Sequence, residues 1–112
     1  MIEKVIIDYL NDNLGNVKAY AERPENPPEE FVLVEKTGGG IENLIYNSLI
    51  TVQSYSDTLL NTAQLNDRVV KILLNAIDCP EISRVDLNSS YNYTDTQEKR
   101  YRYQAVFDVT HY

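Results

Sequence analysis

The segment FVLVEKTGGGIENLIYNSLITVQSY, residues 31–55, places two apolar runs on either side of three consecutive glycines. The first run, Phe31–Val34, is continuously apolar, which is typical of a strand that is covered on both faces. The second run, residues 44–55, is rich in Ile, Val, Thr and Tyr and predicts another strand. The segment therefore predicts a β-hairpin with residues 36–43 as its flexible tip, because Gly38–Gly40 give this part high backbone freedom.

The hairpin is preceded by an extended acidic connector. This connector, ERPENPPEE at residues 22–30, holds three prolines and four acidic residues, which disfavour regular structure. Before it, residues 17–20 predict a short strand, and residues 2–14 carry an apolar stripe at helical spacing that ends at Gly15. Too little chain precedes the connector to fold alone, so we do not interpret it as a domain boundary.

After the hairpin, residues 56–77 predict the main helix, capped by Ser56 or Asp57. The last third alternates apolar and polar residues with a period of two, which predicts a second hairpin around a polar turn at residues 94–99. The alternation places several large side chains toward the core: Val85, Leu87, Tyr91, Tyr93, Tyr101 and Tyr103. The element order α-β-β-β-α-β-β predicts a single α+β domain over residues 1–112, a mostly antiparallel sheet of hairpins with two helices packed on one face.

Composition and charge exclude several classes of function. The net charge of −7 argues against binding nucleic acid through phosphate contacts or docking on anionic lipid. No apolar run approaches the ~20 residues of a membrane span, and the N-terminal MIEKVIIDYL lacks the basic leader of a signal peptide. The single cysteine, Cys79, favours a cytosolic compartment.

The sequence offers no motif for catalysis, a cofactor or a metal. Lys36 and Thr37 precede the glycines and a strand follows them, whereas a phosphate loop needs its lysine and hydroxyl after the last glycine at a helix start. His111, the only histidine, is interpreted as a strand-end residue, and Cys79 as a structural thiol. A cysteine-dependent enzyme that uses these two residues remains the least favoured alternative.

Two charged clusters are candidate interaction surfaces. The acidic residues Glu22, Glu25, Glu29 and Glu30 form either a solvated surface or an acidic rim that faces another subunit or DNA. A basic segment, Lys99, Arg100 and Arg102, is interleaved with tyrosines, a pattern that can bind single-stranded nucleic acid or an acidic neighbour. We expect the contact with a neighbouring subunit, and we assign the same role to Lys36, Thr37, Gly38, Gly39 and Gly40.

Three stretches carry a resemblance to a known family. PENPPEEFVLVEKTGGGIEN at residues 24–43, ITVQSYS at 50–56 and KRYRYQAVFDVTHY at 99–112 resemble small tail-terminator proteins of long-tailed bacteriophages and prophages. The likeness covers nearly the whole chain, and its motifs are structural rather than catalytic.

The resemblance implies a homo-oligomeric ring, usually a hexamer, at the head-proximal end of the phage tail. Its partners would be other copies of the chain, the tail-tube protein and the head–tail connector protein, with assembly in the host bacterial cytoplasm. It implies no enzyme activity and no cofactor, and DNA would pass through the ring without specific binding. A head-side connector (stopper) of the same gene cluster and a small non-catalytic binding domain remain as alternatives.

Overall fold

The computed structural model describes residues 1–98 and 100–112. Its elements follow the predicted order: α1 (Ile2–Asn13), β1 (Lys18–Tyr20), β2 (Phe31–Glu42), β3 (Ile45–Tyr55), α2 (Leu59–Leu74), a 3₁₀ helix (Ala76–Asp78), β4 (Ile82–Asn92) and β5 (Arg102–His111). The prediction of a mostly antiparallel α+β fold is therefore confirmed. The main helix begins later than predicted, because Thr58 rather than Ser56 or Asp57 caps it by accepting a hydrogen bond from the Asn61 amide.

The five strands form one sheet in the order β1-β2-β3-β5-β4. The short strand β1 runs parallel to β2 and pairs only with Phe31–Leu33, while every other pairing is antiparallel. Within the described part of the chain, the outer edge of β2 therefore has no strand beside it from Val34 to Glu42. Strand β4 borders the sheet on the other side, and no strand formed by residues 1–98 or 100–112 pairs with its outer edge.

Both helices pack on the same face of the sheet. Helix α1 buries Ile2, Ile6 and Leu10, whereas α2 buries Leu65, Val69 and Leu73. The residues opposite them belong to alternate positions of the strands, as the period of two requires, and include Val32, Val34, Ile50, Val52, Ala105, Phe107 and Val109. One continuous apolar core thus lies between the two helices and the sheet.

The prediction of a flexible glycine tip at residues 36–43 is wrong, because the glycines lie inside strand β2. Gly38, Gly39 and Gly40 pair with Leu49, Ser48 and Asn47 of β3, in that order. A register shift between Lys36 and Gly38 is a β-bulge at Thr37. The tip itself consists of Asn43 and Leu44, which both have positive φ, as in a type I′ turn.

The predicted inward orientation of the second hairpin's tyrosines is also wrong in part. A second register shift lies between Leu87 and Ser89, so Tyr91 pairs with Gln104 on the sheet face opposite the helices. Tyr91, Tyr93 and Tyr101 are all more than a third exposed. Leu87 precedes the bulge and pairs with the buried Phe107, so it stays on the helix side of the sheet although it is 39% exposed. A bulge adds one residue, and one residue suffices to move every later side chain to the other face.

Leu44 occupies a backbone conformation that favours glycine. Its φ is 64°, and 83% of the residue is exposed. A left-handed conformation costs a side chain roughly 1–2 kcal/mol, whereas glycine adopts it freely. After allowance for the greater freedom of glycine in the unfolded chain, we expect Leu44→Gly to raise the free energy of unfolding by about 0.5–1 kcal/mol in urea titration. Leu44→Ala keeps the strain and should give no gain; a destabilised Leu44→Gly would contradict this explanation.

Candidate functional site

The sheet face opposite the helices, here called the open face, carries a ladder of polar side chains. The Gln53 side chain donates a hydrogen bond of 2.9 Å to Gln104, and Gln104 donates in turn to the Tyr91 hydroxyl. One step further along, the hydroxyls of Thr37 and Thr51 are 2.8 Å apart. Neighbouring strands thus bond to each other across this face through uncharged groups.

At one end of the open face, aromatic rings and an arginine form a compact cluster. Phe31 stacks on Tyr55 with 4.6 Å between ring centroids, and Tyr20 meets Phe31 edge-on at 6.4 Å. Arg102 lies 4.4 Å above the Tyr93 ring, and its guanidinium donates to the Tyr93 carbonyl and to the Tyr55 hydroxyl. Arg102 is therefore held between two tyrosines rather than extended into solvent.

The two charged clusters that the sequence indicates lie close together. A pocket of about 470 Å³ beside Phe31 and Tyr55 is lined by both Glu29 and Arg100. Glu22, Glu25, Glu29 and Glu30 are all exposed, and Glu30 accepts a hydrogen bond from Ser56. Because the acidic connector and the basic segment share one pocket of one subunit, they do not form two well-separated faces for a ring contact. Lys99 lies outside the described residues.

The other predicted interface residues follow the open edge of β2. Lys36 and Thr37 are exposed beside the bulge, and Gly38–Gly40 continue the strand toward the turn. Lys36 also lines a second pocket of about 470 Å³, together with Met1, Tyr46 and His111. The predicted interface therefore divides into two places, the β2 edge and the Arg100–Arg102 end.

One polar pair, Ser48 and His111, was not found from the sequence. The Ser48 hydroxyl lies 2.7 Å from Nε2 of His111, and the imidazole stacks on Tyr46 at 5.4 Å. Both residues are buried, with 2% of Ser48 and 7% of His111 exposed. This hydrogen bond links β3 to the end of β5. The two residues are 63 positions apart, and only the pairing of Tyr46 with His111 could have revealed the contact.

The environment of Cys79 opposes thiolate chemistry. Burial raises the pKa of its thiol, and the carboxylates of Glu81, Asp78 and Asp12 raise that pKa further. A raised pKa keeps the thiol protonated at neutral pH. Within residues 1–98 and 100–112, no group of three or more His, Cys, Asp or Glu side chains could hold a metal ion.

The same ranges contain no helix that is long and apolar enough to cross a membrane. No protein-family model matches the sequence, and no curated protein matches it significantly.

Proposed function

We propose that the chain is a structural protein of a phage tail, a tail terminator that forms a ring on the end of the tail tube and joins it to the head connector. The resemblance of residues 24–43, 50–56 and 99–112 supports the phage role. The observation that supports the ring is the pair of open edges on one sheet, the β2 edge (Val34–Glu42) and the β4 edge (Ile82–Asn92). Unpaired strand edges are ready to bind another strand, and these two edges are different surfaces. Contacts between different surfaces generate rings when the rotation closes.

The strand directions suit a closed ring. Strands β2 and β5 run one way, and β3 and β4 run the other way. A rotation about an axis roughly parallel to the strands leaves these directions unchanged in the next copy. The β2 edge of one copy would therefore meet the β4 edge of its neighbour in antiparallel orientation, like the other large pairings of the sheet.

The open face would then line the ring, with the helices outside. Its centre carries Gln53, Gln104 and Thr51, and its acidic side chains include Glu35 and Asp108. Arg84 and Arg102 also lie on this face, but Arg84 is ion-paired with Asp86 and Arg102 is held between Tyr55 and Tyr93. Most of the lining therefore offers DNA phosphates uncharged amides, hydroxyls and carboxylates. With the net charge of −7, such a lining favours passage of DNA over binding. Glu22, Glu25, Glu29 and Glu30 would form an acidic rim at one mouth of the channel.

A small nucleic-acid-binding domain is the second candidate, supported by the stacking of Arg102 on Tyr93. Aromatic rings beside arginines can receive unstacked bases. The carboxylates of Glu29, Asp57 and Glu98 line the pocket that contains Arg100, however, and would repel the phosphates. Salt-dependent binding of a single-stranded oligonucleotide would favour this candidate over the ring.

Native mass spectrometry over a wide range of protein concentration tests the ring, first with the chain alone and then with the tail-tube protein. We expect a discrete closed species, a hexamer above all, in one or both conditions. We also expect the chain to bind tube ends and to stop further tube growth, which a head-side connector would not do. A chain that stays monomeric in both conditions and does not bind tubes would refute the proposal.

A further inference from the structure

Helix α2 and the 3₁₀ helix after it carry an apolar stripe outside the core. The stripe consists of Leu60, Ala63, Val70, Leu74 and Ile77, and Asp67 interrupts it at its centre. The spacings alternate between three and four residues, which places these side chains along one side of the helix. Leu60, Leu74 and Ile77 are 67%, 41% and 58% exposed. Ala63 and Val70 are partly buried, and Val70 borders the core, so the stripe is uncovered mainly at its two ends.

Two hydrogen bonds fix the direction in which this stripe points. The Asn66 side chain donates to the Ser90 hydroxyl of β4 at 2.7 Å, whereas Arg68 donates to the Leu14 carbonyl beyond α1 at 2.7 Å. On the helical circumference, the stripe lies on the same side as Asn66 and opposite Arg68. The stripe therefore overhangs the open β4 edge, which is the edge that the proposed ring contact uses.

The β2 edge presents a matching set of side chains on the same face of the sheet. Lys36 pairs with the buried Ile50, and Ile41 pairs with Tyr46, so both point to the helix side of the sheet. Ile41 is 56% exposed, and Lys36 is exposed as well. Between them lie Thr37 and three glycines, which leave room for a neighbouring helix to approach.

The β2-edge residues and the α2 stripe also lie at matching positions along the strand direction. One row across the sheet joins Ile41, Tyr46, His111 and Ile82, and Ile82 follows shortly after Ile77 in the chain. A second row joins Lys36, Ile50, Phe107 and Leu87. On β5 this second row is two residues, or ~7 Å, from the row of Ser90, which Asn66 contacts, so it lies near Asp67 and Val70.

The distance between the two contact residues on the β2 edge also agrees with the distance along the α2 stripe. This comparison does not depend on the rows across the sheet. Lys36 and Ile41 are five residues apart with one residue in a bulge, which is ~13 Å along a strand. Asp67 and Leu74 are seven residues apart, which is ~10 Å along α2, and Ile77 lies beyond Leu74 in the 3₁₀ helix. Among the residues that the structure describes, neither Lys36 nor Asp67 makes an ion pair within the subunit.

We infer that the α2 stripe is the seat for the β2 edge of a second copy of this chain, with Ile41 of one copy on Leu74 and Ile77 of the next and with Lys36 paired to Asp67. The inference rests on the proposed ring and specifies its contact. It gives the glycines of β2 a role, because they let the helix of the neighbouring copy approach the strand closely. It also replaces the interface charge pair that the sequence indicates, between the acidic connector and the basic segment, with a pair between Lys36 and Asp67.

A charge swap tests the ion pair. Lys36→Glu and Asp67→Lys should each weaken self-association by about tenfold per contact, because each places like charges together. The double variant should restore association to near that of the wild type. Sedimentation and native mass spectrometry give the readout, and the unfolding temperature of each variant checks its fold. Rings that assemble normally with either single variant would overturn the inference and leave the proposed ring standing.

A cysteine pair tests the apolar contact independently of charge. In a Cys79→Ser background, Ile41→Cys combined with Ile77→Cys should form disulfides between subunits under mild oxidation and give a ladder of covalent oligomers. The matched control, Ile41→Cys with Leu60→Cys, uses the far end of the same stripe and should give no ladder. Rings without crosslinks at residues 41 and 77 would refute this contact alone. A chain that neither self-associates nor binds tubes would refute both this contact and the ring.

Discussion

Gly39→Ala is expected to lower the free energy of unfolding by about 3 kcal/mol. The φ of Gly39 is 149°, a conformation that side chains rarely adopt, and a Cβ at this position would lie 2.4 Å from the carbonyl oxygen of Asn47. The obstacle is the backbone of the paired strand, which cannot rotate away as a flexible side chain could. Backbone strain of this kind costs of order 1–3 kcal/mol, and the steric overlap adds to it.

Gly40→Ala is the matched control for this substitution. A Cβ at Gly40 would meet nothing within 4 Å, so the free energy of unfolding should change by less than about 0.5 kcal/mol. Urea titrations of both variants measure the difference. A loop that is flexible at residues 36–43 would tolerate both alanines equally well, and that result would contradict the paired strand described above.

Phe31→Ala is expected to have a similar or larger effect, a loss of about 3–5 kcal/mol in the free energy of unfolding. Phe31 is buried although it lies on the open face, because Tyr20 and Tyr55 contact its ring and the connector prolines Pro27 and Pro28 line the adjacent pocket. Its removal would leave a cavity in this second apolar cluster. It would also leave Tyr55 without its stacking partner.

Leu33→Ala is the control on the same strand and the same face. Leu33 is only half-buried, so we expect its truncation to cost about 1 kcal/mol in the same urea titrations. Equal losses for the two variants would mean that the cluster around Phe31 adds nothing beyond ordinary burial. A greater loss for Phe31→Ala would support a packed cluster around Phe31.

The elements of the fold could be predicted from the sequence because each one depends on local patterning. The helical spacing of Ile2, Ile6 and Leu10 and the apolar run Phe31–Val34 are visible without any knowledge of partners. The order of these elements then leaves few α+β arrangements. The Ser48–His111 contact and the position of Phe31 against Tyr55 could not be predicted in this way, because both depend on which strands are neighbours.

The sequence by itself determined the α+β class, the order of the elements and the proline-rich connector. Only the tertiary structure decided that Gly38–Gly40 belong to a strand, that Tyr91 and Tyr93 point away from the helices, and that Glu29 and Arg100 share a pocket. The physical reason is that hydrophobic periodicity is a local property, whereas a β-bulge changes the facing of every later residue and is defined only by the partner strand. For the same reason, the α2 stripe could be interpreted as a contact surface only after the Asn66–Ser90 hydrogen bond located it above an open edge.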